Sequence, residues 1–125
     1  MKYLLDTHVL IWYLFGDTSI SKKAKKIIDS EDCYYSLCSL WEIAIKQSLG
    51  KLTVRETIPF IEEQAQANYF TKLAVTSNHI ETIKSLPFIH HDPFDRLLIA
   101  QAKSEKMTLI TKDGIIPQYD VQVIW

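Results

Sequence analysis

Short β-rich apolar runs alternate with longer helical patterns along this chain, and that alternation constrains its fold more than any other feature. Lys2–Leu5, Cys33–Ser36, Leu73–Val75, Thr108–Thr111 and Val121–Ile124 read as strands. Between them, His8–Phe15 is apolar all round, Ser21–Ser30 is a basic helix, and Leu40–Leu49 is a helix closed by Gly50. Val54–Asn68 is amphipathic, with Pro59 as its weak point; Asn78–Leu86 ends at Pro87, and Pro93–Lys106 is a long helix. Strands separated by helices require crossovers, and crossovers imply an α/β fold with a parallel sheet. Ligands of such sheets bind beyond the carboxyl ends of the strands. Chemistry is therefore to be sought where strands end and helices begin.

The length of 125 residues fits one domain over 1–125, and an apolar fraction of 47% allows a true core. The net charge of −1 gives no broad basic surface, so any hold on a polyanion must come from local cations or from metal. The first residues, MKYLLDTHVLIWYLF, are broken by Asp6 and His8, lack a small-residue cleavage site and are short for a membrane span. They read as core, and the protein as cytoplasmic. Cys33 and Cys38 have no Cys/His set around them and read as buried thiols in a reducing compartment.

Four acids stand where elements end or begin. Asp6 follows the first strand in YLLDT, and Asp113 follows the fourth in LITKD. Each either turns the chain or projects from the sheet's carboxyl edge. Glu42, in SLWE, has capping-box spacing from Ser39. In HHDPFDRLLIAQA, Asp92 is placed as an N-cap before Pro93, and Asp95 falls in the first helical turn. Taken together, Asp6, Glu42, Asp95 and Asp113 share one edge of a parallel layer. Carboxylates gathered there repel one another unless a cation neutralises them, so at least one folded-state pKa should be raised. A set of Asp and Glu oxygens is a hard-ligand site suited to Mg²⁺ or Mn²⁺ and to phosphoryl-ester hydrolysis. No Ser- or Cys-based triad stands out.

LLDTHVLIW, SLWEIAIK…GKL, HHDPFDRLLIAQA and LITKD, in this order, resemble PIN domains from Tyr3 to Trp125, and especially the VapC-type toxins paired with Phd- or YefM-like antitoxins. The resemblance implies a three-layer PIN-like sandwich: a parallel sheet of order 3-2-1-4-5 with helices on both faces. It also implies a Mg²⁺- or Mn²⁺-dependent endoribonuclease, the toxin of a toxin–antitoxin pair, with an RNA substrate. A homodimer silenced by a cognate antitoxin is implied as well. Carried over by position, Asp6, Glu42, Asp95 and Asp113 match the family's acids, and Thr7, Ser39 and Thr111 match positions that orient them. Asp92 matches a feature of this subgroup, as N-cap or as ligand.

Lys46, Lys51 and Arg96 are candidates for phosphate contact; solvated lysines are the plainer reading, and for Arg96 an internal ion pair is an equal alternative. His90 and His91 read as loop residues rather than RNA contacts, and His8 as structural; Trp12, Tyr13 and Trp41 read as core or interface rather than base-stacking platforms. A phosphatase of the haloacid-dehalogenase type is the nearest rival enzyme, but its D-x-D motif would need an acid where His8 stands. A phosphorylatable receiver domain would need acids that LLDTH and LAVTS do not supply. A catalytically silent module that only binds an antitoxin is the rival from another class.

Overall fold

The computed structural model describes residues 1–125. Strands β1 (Lys2–Leu5), β2 (Asp32–Ser36), β3 (Thr71–Leu73), β4 (Thr108–Ile110) and β5 (Val123–Ile124) form one sheet of order β3-β2-β1-β4-β5. Every pairing is parallel, with Leu5 opposite Tyr35 on one side and Ile110 on the other. The helices are α1 (Thr7–Leu14), α2 (Lys22–Ser30), α3 (Leu37–Ser48), α4 (Ile58–Ala67), α5 (Ser77–Ile83) and α6 (Pro93–Glu105).

Alternation along the central strands builds two cores, one on each face of the sheet. Tyr3 and Leu5 point to a core shared with Val9, Leu10, Tyr35, Ile43 and Ile61. Leu4, between them, points the other way and packs with Leu98, Ile99, Ala102 and Leu109. Helices therefore cover both faces, the three-layer arrangement expected of near-continuous apolar strands. Leu4 and Leu98 have no exposed surface. Truncating either to Ala should cost about 2–5 kcal/mol.

Three local readings shift. The third strand is Thr71–Leu73, not Leu73–Val75, because its partners are Tyr34–Ser36 of β2. Helix α4 starts only at Ile58, where Thr57 caps it and Pro59 falls in the first turn, the place a helix tolerates proline. Helix α3 begins at Leu37, directly off β2, and its N-cap is Ser36, whose Oγ accepts from the Cys38 N–H at 3.0 Å. Ser39 and Glu42 thus sit inside the helix and form no capping box. A 3₁₀ turn over Ile116–Gln118 was not legible in the sequence.

Cys33 and Cys38 are buried free thiols, and burial pushes both up to about 12, so they are inert apolar filling rather than nucleophiles. No helix is long and apolar enough to cross a membrane.

Candidate metal centre

Asp6, Glu42, Asp95 and Asp113 come from four different segments and line one pocket of about 480 Å³. Asp92, Lys46, Lys112, His8 and Trp12 complete its wall. The pocket lies off the carboxyl ends of β1 and β4, where strand order turns outward from β1.

Each acid reaches the pocket differently. Asp6 occupies the N-cap position of α1, yet its side chain caps nothing. Its Oδ2 instead accepts a hydrogen bond from Thr111 Oγ1 at 2.6 Å, which ties the end of β1 to the end of β4. Burial raises the Asp6 pKa, and the Thr111 hydrogen bond only partly offsets this. Glu42 is 3% exposed in the middle of α3. Its Oε2 meets Lys46 Nζ at 2.8 Å across one helical turn, while its Oε1 is buried without any partner. Burial disfavours the Lys46 charge, but the Glu42 contact outweighs it and holds the ammonium above its ordinary value.

Asp95 stands in the first turn of α6, positioned there by Asp92, whose Oδ1 accepts from the N–H groups of Phe94 (2.8 Å) and Asp95 (3.1 Å). Burial, then the charges of Asp6 and Asp92, push the Asp95 carboxyl up to about 7, with Glu42 adding to the rise and His90 opposing it. Asp113 is both turn-former and pocket wall. Its Oδ1 accepts from the Ile115 and Ile116 N–H groups at 2.7 and 3.1 Å, and its Oδ2 faces His90. Burial alone would raise its pKa; the hydrogen bonds from His90, Ile115 and Ile116 win and lower it. The expectation that at least one carboxyl pKa is raised is met at Asp6 and Asp95, while Asp113 is lowered.

His90 lies in the loop before α6, as the sequence suggests, but its contacts give it a further role. Its Nε2 lies 3.0 Å from Asp95 Oδ2 and 3.1 Å from Asp113 Oδ2. Its Nδ1 accepts from the Asp92 N–H at 3.1 Å, so the neutral ring carries its proton on Nε2 and donates it between two carboxylates. His90, Asp95 and Asp113 bring three potential ligand atoms within 4.8 Å of one another. The adjacent His91 stacks on Phe88 instead. The signal available in the sequence was the HHDP turn: a histidine two residues before an N-cap is carried to the helix mouth with it.

The supporting residues divide. Thr7 donates to Ser39 Oγ at 2.8 Å, tying the start of α1 to α3 beside Glu42. Lys46 faces the pocket, and Lys51 is exposed beyond the end of α3. Arg96 does not line the pocket and forms no ion pair: its guanidinium donates to the carbonyls of Pro87, His90 and Ile83 and to Tyr119 Oη, bracing the segment before α6. His8 is exposed on the pocket wall rather than buried, and half-buried Trp12 stands beside it, the rings 5.9 Å apart. Trp41 is 60% exposed, edge-on to Phe94. A roomier hollow of about 820 Å³ between α5 and α6 offers no comparable chemistry, because Glu81 and Glu105 there are paired with Lys84 and His79.

The PIN domain signature matches residues 3–122, nearly the whole of this sheet and pocket. The chain belongs to the PIN-domain family. No protein of curated function matches the sequence. Among solved structures, this PIN domain is similar to a chain of VapBC2 from Rickettsia felis bound to a promoter DNA fragment, at 12% identity and a TM-score of 0.72, covering 99% of this chain and 98% of that one. It is similar to a chain of FitAcB from Neisseria gonorrhoeae at 21% identity and a TM-score of 0.69, covering 98% and 96%. A chain of a toxin–antitoxin complex from Klebsiella pneumoniae aligns at 19% identity and a TM-score of 0.65, covering 98% and 96%. At these identities the likeness is one of fold. The PIN match leaves the haloacid-dehalogenase reading without support.

Proposed function

We propose that this PIN domain is a divalent-metal-dependent endoribonuclease, the toxin of a toxin–antitoxin pair. The observation that carries the reading is the convergence of Asp6, Glu42, Asp95 and Asp113 on one pocket that holds a buried Glu42 oxygen with no partner. A buried carboxylate oxygen left unpaired costs free energy that a cation would recover. The donor set fits such a cation: carboxylate oxygens select hard ions such as Mg²⁺ or Mn²⁺. Bound there, the ion would supply the positive charge that activates water and stabilises a leaving oxygen.

The chain's own residues then have distinct tasks. Asp6, Glu42, Asp95 and Asp113 hold the ion; Thr111 fixes the Asp6 carboxylate, and the Thr7–Ser39 bond fixes α1 against α3. Asp92 holds the first turn of α6, so Asp95 keeps its aim. Lys46 and Lys112, on the pocket wall, offer cations to the phosphates of an RNA strand, and exposed Lys51 can follow the strand beyond α3. Arg96 serves the site through the segment that carries His90.

A cognate antitoxin is the proposed partner, in keeping with the toxin–antitoxin complexes among the fold's neighbours. A homodimer is proposed on the apolar face where Leu37, Trp41 and Ile80 lie exposed around a hollow of about 500 Å³. The deciding experiment is degradation of single-stranded RNA with Mg²⁺ or Mn²⁺ and again in excess EDTA, for wild type, Asp6→Asn and Asp95→Asn. Metal-dependent cleavage lost in both folded variants supports the enzyme. No cleavage by any of the three would leave the protein a silent binding module, and equal metal-dependent turnover in all three would remove Asp6 and Asp95 from the reaction.

A further inference from the structure

We infer that helix α2 and Trp12 form a docking track for single-stranded RNA leading into the acidic pocket, an inference that rests on the ribonuclease reading above. With a net charge of −1 the chain has no general attraction for polyanions, so the placing of its lysines decides what it can bind. Lys22, Lys23, Lys25 and Lys26 fall within five consecutive residues, and no acid lies between Asp17 and Asp29. All four are exposed, while Ala24 and Ile28 fasten the opposite face of α2 to the core. Lys25 is partly spent, 3.1 Å from Asp29.

The lysines open onto a groove. Lys22 and Lys25, one turn apart, line a hollow of about 300 Å³ between α1 and α2, and Trp12 lines it too. Trp12 also lines the acidic pocket, so the two hollows adjoin at one indole. The ring is set by Trp125, edge-on at 5.9 Å, and by His8, one turn back on α1. From Asp6 to Trp12 the helix rises about 9 Å. That span suits the nucleotides next to a phosphate held by the acids. Asp17 on the groove wall is occupied by the Ser19 N–H.

The arrangement is that of a single-strand binder: cations track the backbone, an aromatic face stacks a base without reading it, and a phosphodiester further along the strand is delivered to the acids. Duplex RNA offers no unstacked base to Trp12 and should bind more weakly.

The test is fluorescence anisotropy with a labelled single-stranded RNA of uniform sequence, in EDTA so that nothing is cut, across a salt series. Lys22→Ala/Lys25→Ala should weaken binding about tenfold at low salt and flatten the log–log salt slope by roughly 1–1.5. Lys84→Ala/Lys103→Ala, with the same charge change elsewhere, should alter affinity less than about twofold. Trp12→Phe keeps a ring and should retain most of the binding, whereas Trp12→Leu should lose about tenfold. If both lysine pairs weaken RNA equally, or the salt slope of the α2 variant is unchanged, the track is wrong. Unchanged RNA affinity with lost binding of an acidic partner protein would overturn it in favour of a protein-docking face. Failure of the enzyme reading looks different: RNA would bind through α2 and never be cut when metal is added.

Discussion

Two buried histidines, His79 and His90, sit beside carboxylates at opposite ends of helix α6, and their surroundings differ in one respect that separates a brace from a site. His79 has no exposed surface; its Nε2 meets Glu105 at 2.7 Å, its Nδ1 accepts from the Thr76 N–H, and its own N–H caps back to Thr76 Oγ1. Gln101 continues the chain to Ser36 Oγ at 2.6 Å, so α5, α6 and the end of β2 are laced together. One ring meets one carboxylate there, and every buried side-chain polar atom has a partner. His90 is shared between Asp95 and Asp113, with Asp6, Asp92 and Glu42 around them and an orphaned Glu42 oxygen nearby. A satisfied network stabilises a fold; an oversupply of negative charge without partners stores a demand for a cation.

The comparison breaks most visibly in activity. Asp95→Asn keeps the side chain's shape and removes its charge, and should lower RNA cleavage at least about a hundredfold while the domain stays folded. Glu105→Gln at the other knot should leave turnover per folded molecule unchanged. Circular dichroism alongside the cleavage assay checks both, and equal losses at the two knots would erase the distinction.

Stability should report the converse. His79→Ala removes a fully buried ring, opens a cavity and strips the Thr76 N–H of its acceptor, and should cost about 2–4 kcal/mol in urea denaturation. His90→Ala should cost less in the metal-free protein, because the ring's two carboxylate partners, Asp95 and Asp113, are partly open to solvent. A larger loss at His90 than at His79 would mean that the pocket's histidine is the structural one.

Metal and pH sharpen the contrast further. Saturating Mn²⁺ at a hundredfold excess over Kd should stabilise wild type by about 2.7 kcal/mol, and Asp95→Asn by clearly less. Without metal, the Asp95 carboxyl is pushed from its ordinary 3.8 up to about 7 by burial and by its acidic neighbours. Between those values the folded state holds a proton that the unfolded chain releases, so stability falls as pH rises through the window and levels off above it. Asp6 acts in the same direction. Asp113 acts oppositely: its lowered pKa gives stability above the ordinary carboxylate range that is lost as pH falls. Melting temperature against pH in EDTA should therefore fall from pH 5 to 7.5 for wild type and stay flatter for Asp95→Asn. A wild-type curve as flat as the variant's would contradict the crowding of charge around Asp95. Asp113→Asn is a poor substitute, since an amide NH2 would replace the Oδ2 that faces His90 and disturb the histidine shared with Asp95.

Much of this was legible because it is local. Period-two and period-3.6 patterns marked the strands and helices, and Asp92–Pro93 marked the mouth of α6. The four acids could be grouped because parallel topology alone brings strand ends to one edge. What stayed hidden depends on packing between distant segments. Ser36 rather than Ser39 caps α3 because β2 runs into the helix without a loop. Arg96 is drawn to carbonyls of its own preceding segment, and His90 reaches Asp113 across 23 residues. No spacing rule announces either contact.

The smallest expected effect concerns Asp92, where structure and chemistry meet in one side chain. Its Oδ1 caps α6 through Phe94 and Asp95, and its carboxylate also lines the pocket and raises Asp95. Asp92→Ala loses the cap and should cost about 1 kcal/mol of stability. Asn is nearly as good an N-cap as Asp, so Asp92→Asn should keep most of that stability while removing one negative charge from the pocket. With the charge gone, Asp95 ionises more readily, and the pH-dependent fall in metal-free stability should shift to lower pH. Metal affinity separates the two roles left open for Asp92. If it only caps, Asp92→Asn should change the Mn²⁺ dissociation constant by a few-fold, through charge alone. A loss of about a hundredfold, matching Asp95→Asn, would make Asp92 a ligand in its own right.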